Sequence, residues 1–511
     1  MDRSRREFLA DVGKGMLVAS VGATLASELG MDCAFADSGS ARLSFGQLEP
    51  LVDLLQDTPV ERLLPAVVGK IRSGTELRQL VAAGALANAR TFGGEDYIGF
   101  HTFMALAPAY AMSKELPEDK RALPILKVLY RNSNQIQKLG GRANEVLQPL
   151  SPEGDTGVTA EGLRQLVRQP DVNAAERAFV SMIRKGPEQA FNDIQPMIED
   201  DADVHRVVLA YRAWTLMGMT GKEHAHTMLR QTVRYCAKSE KGYLDRKGAP
   251  PAVREVLPRL LDKYKLVEKP LGNRKGDDAW VDAMAHSFLK ITPEQGAEAV
   301  ASALAEGYSV DSVGEALTMG ANLQILMDPG RSTAYPGKPI GSVHGDSSGV
   351  HSSDSMNAWR KICKVANHRN IVASLVVAGY HLVRGGMGTP HWTYSLDDQL
   401  EAIKRVSPDS LLAEADTAIR EQNQSRAAAL VQRYGEQNLP ERPVFNMLLK
   451  YATSEDRALH AEKYYRTVSE EFARTRPAYR WRQLVGLARV TASEYGKRAD
   501  GYEEACRLLK V

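Results

Sequence analysis

Apolar residues recur every three to four positions along almost the whole of this 511-residue chain, and that period sets what it can fold into. LVDLLQDTPVERLLPAVVGKI (51–71), ELRQLVAAGALANAR (76–90), NAAERAFVSMIRKG (173–186) and DVHRVVLAYRAWTLMGM (203–219) each place an apolar stripe on one face of a helix. GAEAVASALAEG (296–307) and LLAEADTAIREQNQSRAAALVQRYGEQ (411–437) do the same. Gly272, Gly307 and Gly330 follow or interrupt periodic runs, and Pro117, Pro293 and Pro440 mark boundaries. Alternating β-branched strands joined by Asn-Gly or Asp-Gly turns are scarce. The expectation is an all-α fold, a multi-helix array of antiparallel helix pairs.

From about Leu396 the short amphipathic helices pair in order. DSLLAEADTAIREQNQ with SRAAALVQRYGEQ predicts one hairpin, and PVFNMLLKYATS with ALHAEKYYRTVSEEFARTRP the next. A 34-residue repeat consensus does not fit, so the reading is a repeat-like helical-hairpin region over 396–511, after a helical domain over 37–395. Such a scaffold, without chemistry of its own, would bind a partner along a concave face.

The helical pattern breaks once, at MDPGRSTAYPGKPIGSVHGDSSGVHSSD (327–354), rich in Gly, Pro and Ser. Structureless segments of that length are uncommon inside compact domains and are often functional. Histidines gather around it: of the 11 in the chain, His344, His351, His368, His381 and His391 fall within the stretch from 344 to 391. The region 327–394 is therefore the expected site. His351 and Asp354 are three apart, with Ser352 or Ser353 as the expected cap of the following helix. His101 behind Glu95-Asp96, His286 four residues after Asp282, and His391 beside Trp392 have comparable settings. Helical metal sites are assembled from side chains on facing helices. The candidate ligands are accordingly His344, His351, Asp354, His101, His286 and His391. Imidazole with carboxylate suits a transition metal such as iron, zinc or copper.

Other chemistries lack their letters. After Cys33, the cysteines Cys236, Cys363 and Cys506 are isolated and odd in number, so neither a disulfide framework nor a Cys-x-x-Cys site is expected. No phosphate-binding Gly-x-x-x-x-Gly-Lys or dinucleotide Gly-x-Gly-x-x-Gly framework is present, and no His-x-x-x-His. GDSSG at 345–349 resembles serine-hydrolase segments, but those need a strand before the serine. Glu223 and His226 form one Glu-x-x-His, read as a solvated helix start. A formal charge of +2 gives no global field for nucleic acid.

The N-terminus carries a sharper signal. Ser4-Arg5-Arg6-Glu7-Phe8-Leu9, the apolar stretch Met16 to Ala26 and the small residues Ala34 and Ala36 resemble a twin-arginine signal peptide over residues 1–36. The resemblance implies export to the periplasm or beyond, with no transmembrane anchor after cleavage. The helices, histidine distribution and missing nucleotide fold are also similar to questin-oxidase-like proteins, without a shared motif that assigns a residue role. The reading is an exported all-helical protein, a metal-dependent oxidoreductase-like enzyme acting on a small molecule. The alternative is a helical-repeat scaffold binding a protein partner of the cell envelope.

Export has a direct test. Envelope-fraction protein should begin at Asp37 on N-terminal sequencing, and Arg5→Lys with Arg6→Lys together should leave the chain in the cytoplasm. An intact Met1 start in the envelope fraction would refute the signal.

Overall fold

The computed structural model describes residues 42–150, 157–386, 396–403, 407–456 and 458–511. The signal-peptide segment and His391 lie outside the described residues. The fold is all-helical, and no strand occurs among the described residues; pairing is limited to isolated bridges such as Glu455 with Arg498.

The chain begins with α1 (Glu49–Asp57), α2 (Val60–Arg72), α3 (Leu77–Phe92), α4 (Tyr97–Ser113) and α5 (Leu123–Lys138). Next come α6 (Ala160–Arg168), α7 (Val172–Met182), α8 (Pro187–Ile198), α9 (Val204–Thr220), α10 (Ala225–Asp245) and α11 (Val253–Tyr264). Then follow α12 (Asp278–Ser287), α13 (Pro293–Ala305), α14 (Val310–Met327), α15 (Ser348–Ile362) and α16 (His368–Gly386). The last group is α17 (Asp397–Ala402), α18 (Pro408–Arg420), α19 (Gln424–Glu436) and α20 (Arg442–Ser454). It ends with α21 (His460–Phe472), α22 (Trp481–Glu494) and α23 (Tyr502–Leu509).

Local chemistry accounts for many of the boundaries. Asp96, Asp203, Asp277, Ser309, Ser347 and Ser407 each accept a backbone N–H of the helix they precede. Thr292 and Gln295 form a capping box, with Pro293 at the first helical position. The helices α3 and α4 are apolar on nearly every face and buried along most of their length, as central helices must be.

Two hydrophobic cores result. The larger one joins α1 to α16, with Leu459 and Ala505 added from the C-terminal part. The other is built mainly from α18 to α22 and takes in Met112, Ile325, Val343 and Val350. The expected hairpins α18–α19 and α20–α21 do pack as pairs. Yet α21 also packs on α4 and α15, so the C-terminal helices are joined to the rest by a shared layer.

The break in the helical pattern is shorter than its composition suggests. Non-helical chain runs from 328 to 347, and Ser347, not Ser352 or Ser353, caps α15. His351 and Asp354 therefore lie inside the helix. The loop is held at both ends: Arg489 on α22 donates to the carbonyls of Ile325 and Asp328, and Ser493 accepts the Val343 N–H.

Helices α13 and α16 cross at Gly296 and Gly379, where a Cβ on Gly379 would stand 2.5 Å from the Gly296 carbonyl oxygen. That oxygen belongs to a helix backbone and cannot yield cheaply. Gly379→Ala should lower stability by about 1–3 kcal/mol through overpacking. At Gly69 in α2, where nothing lies within 4 Å, the same change should raise it by about 0.5–1 kcal/mol. Denaturant midpoints of the two variants should move in opposite directions.

Candidate functional site

Four helices meet around one point: α4 packs on α9 and α21, and α15 packs on the same two. Each brings one histidine within its first turn and a half, namely His101 on α4, His205 on α9, His351 on α15 and His460 on α21. Successive ring centres around the cluster are 5.0 Å (His101–His205), 6.1 Å (His205–His351), 5.4 Å (His351–His460) and 5.2 Å (His460–His101) apart. The Nε2 atoms of His351 and His460 face each other at 3.3 Å.

What orients the rings comes from the helix starts. His101 Nδ1 lies 2.7 Å from the Tyr97 carbonyl oxygen, so it carries the proton and donates, and Nε2 keeps its lone pair. That Nε2 is buried and makes no hydrogen bond. His205 Nδ1 lies 3.4 Å from Asp203, whose carboxylate also caps α9 and accepts 2.7 Å from the Tyr235 hydroxyl. Phe100 packs against both His101 and His205, with its ring centre 4.9 Å from each. His460 opens α21 directly after Leu459, whose φ of 62° is left-handed, an unfavourable conformation for a branched side chain. Its burial in the larger core holds it there. Gly345 presses on His460 from the loop, where a Cβ would come within 2.5 Å of the His460 Cβ.

The surroundings keep His101 and His351 uncharged. Burial, then the Lys463 ammonium, pushes His351 down to about 3, and the same two causes push His101 lower still. The positive ends of four helices act in the same direction. Lys463, one turn after His460, is itself drawn down to about 8 by burial, against the opposing pull of Asp354. Burial raises Asp354 despite Lys463 and a 2.7 Å hydrogen bond from Thr467.

A cleft of about 360 Å³ reaches the cluster at His351, lined also by Asp201, Asp203, Tyr243, His381 and Arg384. Arg384 and the Tyr243 hydroxyl both bond Asp201. The Trp359 indole N–H donates to His381 Nδ1 over 3.3 Å.

Of the six residues expected from the sequence, His101 and His351 join the cluster. His344 does not: it is buried behind it, 3.8 Å from Glu494. Asp354 faces Lys463 and Thr467 instead of the rings. His286 is on α12, which is not one of the four cluster helices, with its side chain 43% exposed and Nδ1 against Asp282. His391 is outside the described residues. His205 and His460 complete the ring and are not among the residues expected from the sequence. Their signals are the acidic run Asp200, Asp201 and Asp203 before His205 and, for both, a place at the first or second residue of a helix. His226, read as solvated, is buried against Phe179. Ser347 serves as the cap of α15.

Two imidazole nitrogens sharing one tetrahedral metal stand about 3.3 Å apart, with ring centres roughly 5 Å apart. The His351–His460 pair and three of the four ring separations match these values. Among the described residues, no group of three or more His, Cys, Asp or Glu side chains already stands in metal-holding geometry. No family model, curated protein or solved structure matches this chain.

His381 supplies a pH test separate from the ring. Burial lowers it to about 4, so it is neutral in the folded state and charges readily when unfolded. Its contribution is present above about pH 6.5 and is lost as pH falls through 4, on the order of 3 kcal/mol at most. His381→Gln keeps an acceptor for Trp359 and cannot titrate. Urea midpoints between pH 7 and 4 should therefore fall less steeply in the variant than in the natural chain.

Proposed function

We propose that the protein is an exported, metal-dependent enzyme of oxidoreductase type whose centre is held by His101, His205, His351 and His460. The observation that carries this reading is the four-ring cluster, with two Nε2 atoms facing each other at 3.3 Å and a third buried with no hydrogen bond. Hydrogen-bonded imidazoles commonly need no more than a water to satisfy them; four on one point suit a shared cation better. Closing the set requires the rings of His101 and His205 to turn toward the other pair.

Neutral nitrogen donors suit iron, copper, nickel and zinc. Asp203 and the Tyr97 carbonyl then act as the groups that fix ring orientation and raise basicity. The cleft at His351 would admit a small molecule from solvent to a metal held there. When bound, the metal would supply Lewis acidity or electron transfer. The chain's own part is to cover the rings with Phe100 and Tyr97 and to hold His101 and His351 unprotonated. The pattern at Arg5-Arg6 supports export in a folded, loaded state, and no helix among the described residues is long and apolar enough to cross a membrane.

Native protein should carry about one equivalent of a transition metal by mass spectrometry. His351→Ala and His460→Ala should each lower occupancy at least tenfold, and Asp203→Asn should weaken affinity by about 10–100-fold. His344→Ala and His286→Ala should stay loaded. Iron or copper would support redox chemistry, and zinc a hydrolytic enzyme. Native protein free of metal would leave the binding scaffold as the better reading.

A further inference from the structure

A second cavity, of about 460 Å³, opens on the face formed by α8, α9 and the C-terminal end of α15. Tyr211 and Trp214 supply its aromatic wall, and Lys222, Lys361, Lys364 and Arg474 its charged side. No Asp or Glu lines it. Met217 and the exposed Val365 add apolar surface.

The charges are unevenly matched. Lys222, Lys361 and Lys364 have partners outside the cavity in Glu188, Glu470 and Asp311. Arg474 has no carboxylate partner among the described residues. Beneath the wall, the Arg212 guanidinium stacks 5.0 Å from the Tyr211 ring centre. It is 3% exposed, and its Nε has no hydrogen-bond partner. Glu470 is the nearby counter-charge and is already shared by Lys361 and Arg466. The cavity is thus an aromatic platform in a positive field, with Phe191 packed against Trp214 at 4.7 Å and tilted by 40°.

We propose that this cavity binds a planar aromatic anion, its ring on Trp214 and Tyr211 and its acidic group between Arg474 and the lysines. The ring gains stacking and cation–π contact, and the acid gains charge-assisted hydrogen bonds. Two ligand sources share this chemistry: an aromatic carboxylic acid and a nucleotide phosphate.

The site is distinct from the histidine cluster and independent of what the cluster holds. Trp214 is nine residues beyond His205 on α9, and Lys361 ten beyond His351 on α15, each about 14–15 Å along its helix. The two sites share two rigid helices, so a ligand here is placed to modulate the cluster without touching it.

Isothermal titration of the full chain with 2-naphthoate, with adenosine monophosphate and with uncharged 2-naphthalenemethanol tests the proposal. At least one anion should saturate with a Kd below about 1 mM. The better anion identifies the source. Arg474→Gln with Lys364→Gln, both exposed side chains, should weaken it about tenfold while the helical spectrum is unchanged. Trp214→Phe should retain binding and remove the ligand-induced quenching of tryptophan fluorescence. His351→Ala should bind as the natural chain does, whatever its metal content. The proposal is overturned if neither anion saturates, if the neutral alcohol binds as tightly, or if the double variant matches the natural chain.

Discussion

Bringing four imidazole rings out of water onto one point is the constraint around which this fold is arranged. A charge on His101 or His351 would be costly, since both are buried beside Lys463 and helix N-termini. The chain meets the cost at the level of the helix starts. Asp96 and Asp203 satisfy backbone donors and place carboxylates beside α4 and α9, while the Tyr97 carbonyl and Asp203 take the Nδ1 protons. His101 and His351 are left neutral, which is the state in which imidazole binds a metal.

Packing elsewhere follows from holding those starts together. The two cores lie on either side of the cluster, and α21 reaches from one to the other. Gly345 gives the loop room to sit against His460, and the backbone at Leu459 takes up an unfavourable turn to present that residue. Removing the bulk of the loop or the left-handed turn would shift His460 before any ligand were involved.

Much of the architecture was legible in the sequence. The 3.6-residue period predicts the helices, and Pro293 and Gly307 bracket α13 as expected. The hairpins α18–α19 and α20–α21 follow from short amphipathic runs separated by polar turns. The site was half legible. His101 and His351 stand out because acidic neighbours or a Ser-rich loop mark them. His205 follows Asp200, Asp201 and Asp203 much as His101 follows Glu95 and Asp96, whereas His460 carries no such mark; what unites the four is long-range packing that no local spacing encodes. His344 and Asp354 are neighbours of His351 along the chain, yet the loop before α15 holds His344 beside Glu494 and the second turn of α15 sets Asp354 near Lys463 instead. The composition of 327–354 suggested a longer loop because Ser and Gly are poor helix formers; burial of Gly349, Val350 and Ser352 to Ser355 in α15 overrides that preference.

The spread of the four histidines along the chain, from position 101 to position 460, has a consequence for assembly. No fragment, and no partly docked intermediate, contains the ring: it exists only when the first, middle and last thirds of the chain have come together. A molecule held there registers completion of folding, and its binding energy is added to global unfolding, not to the fraying of any one helix. The centre would therefore act as a clasp, closed only once the distant parts of the chain are in place.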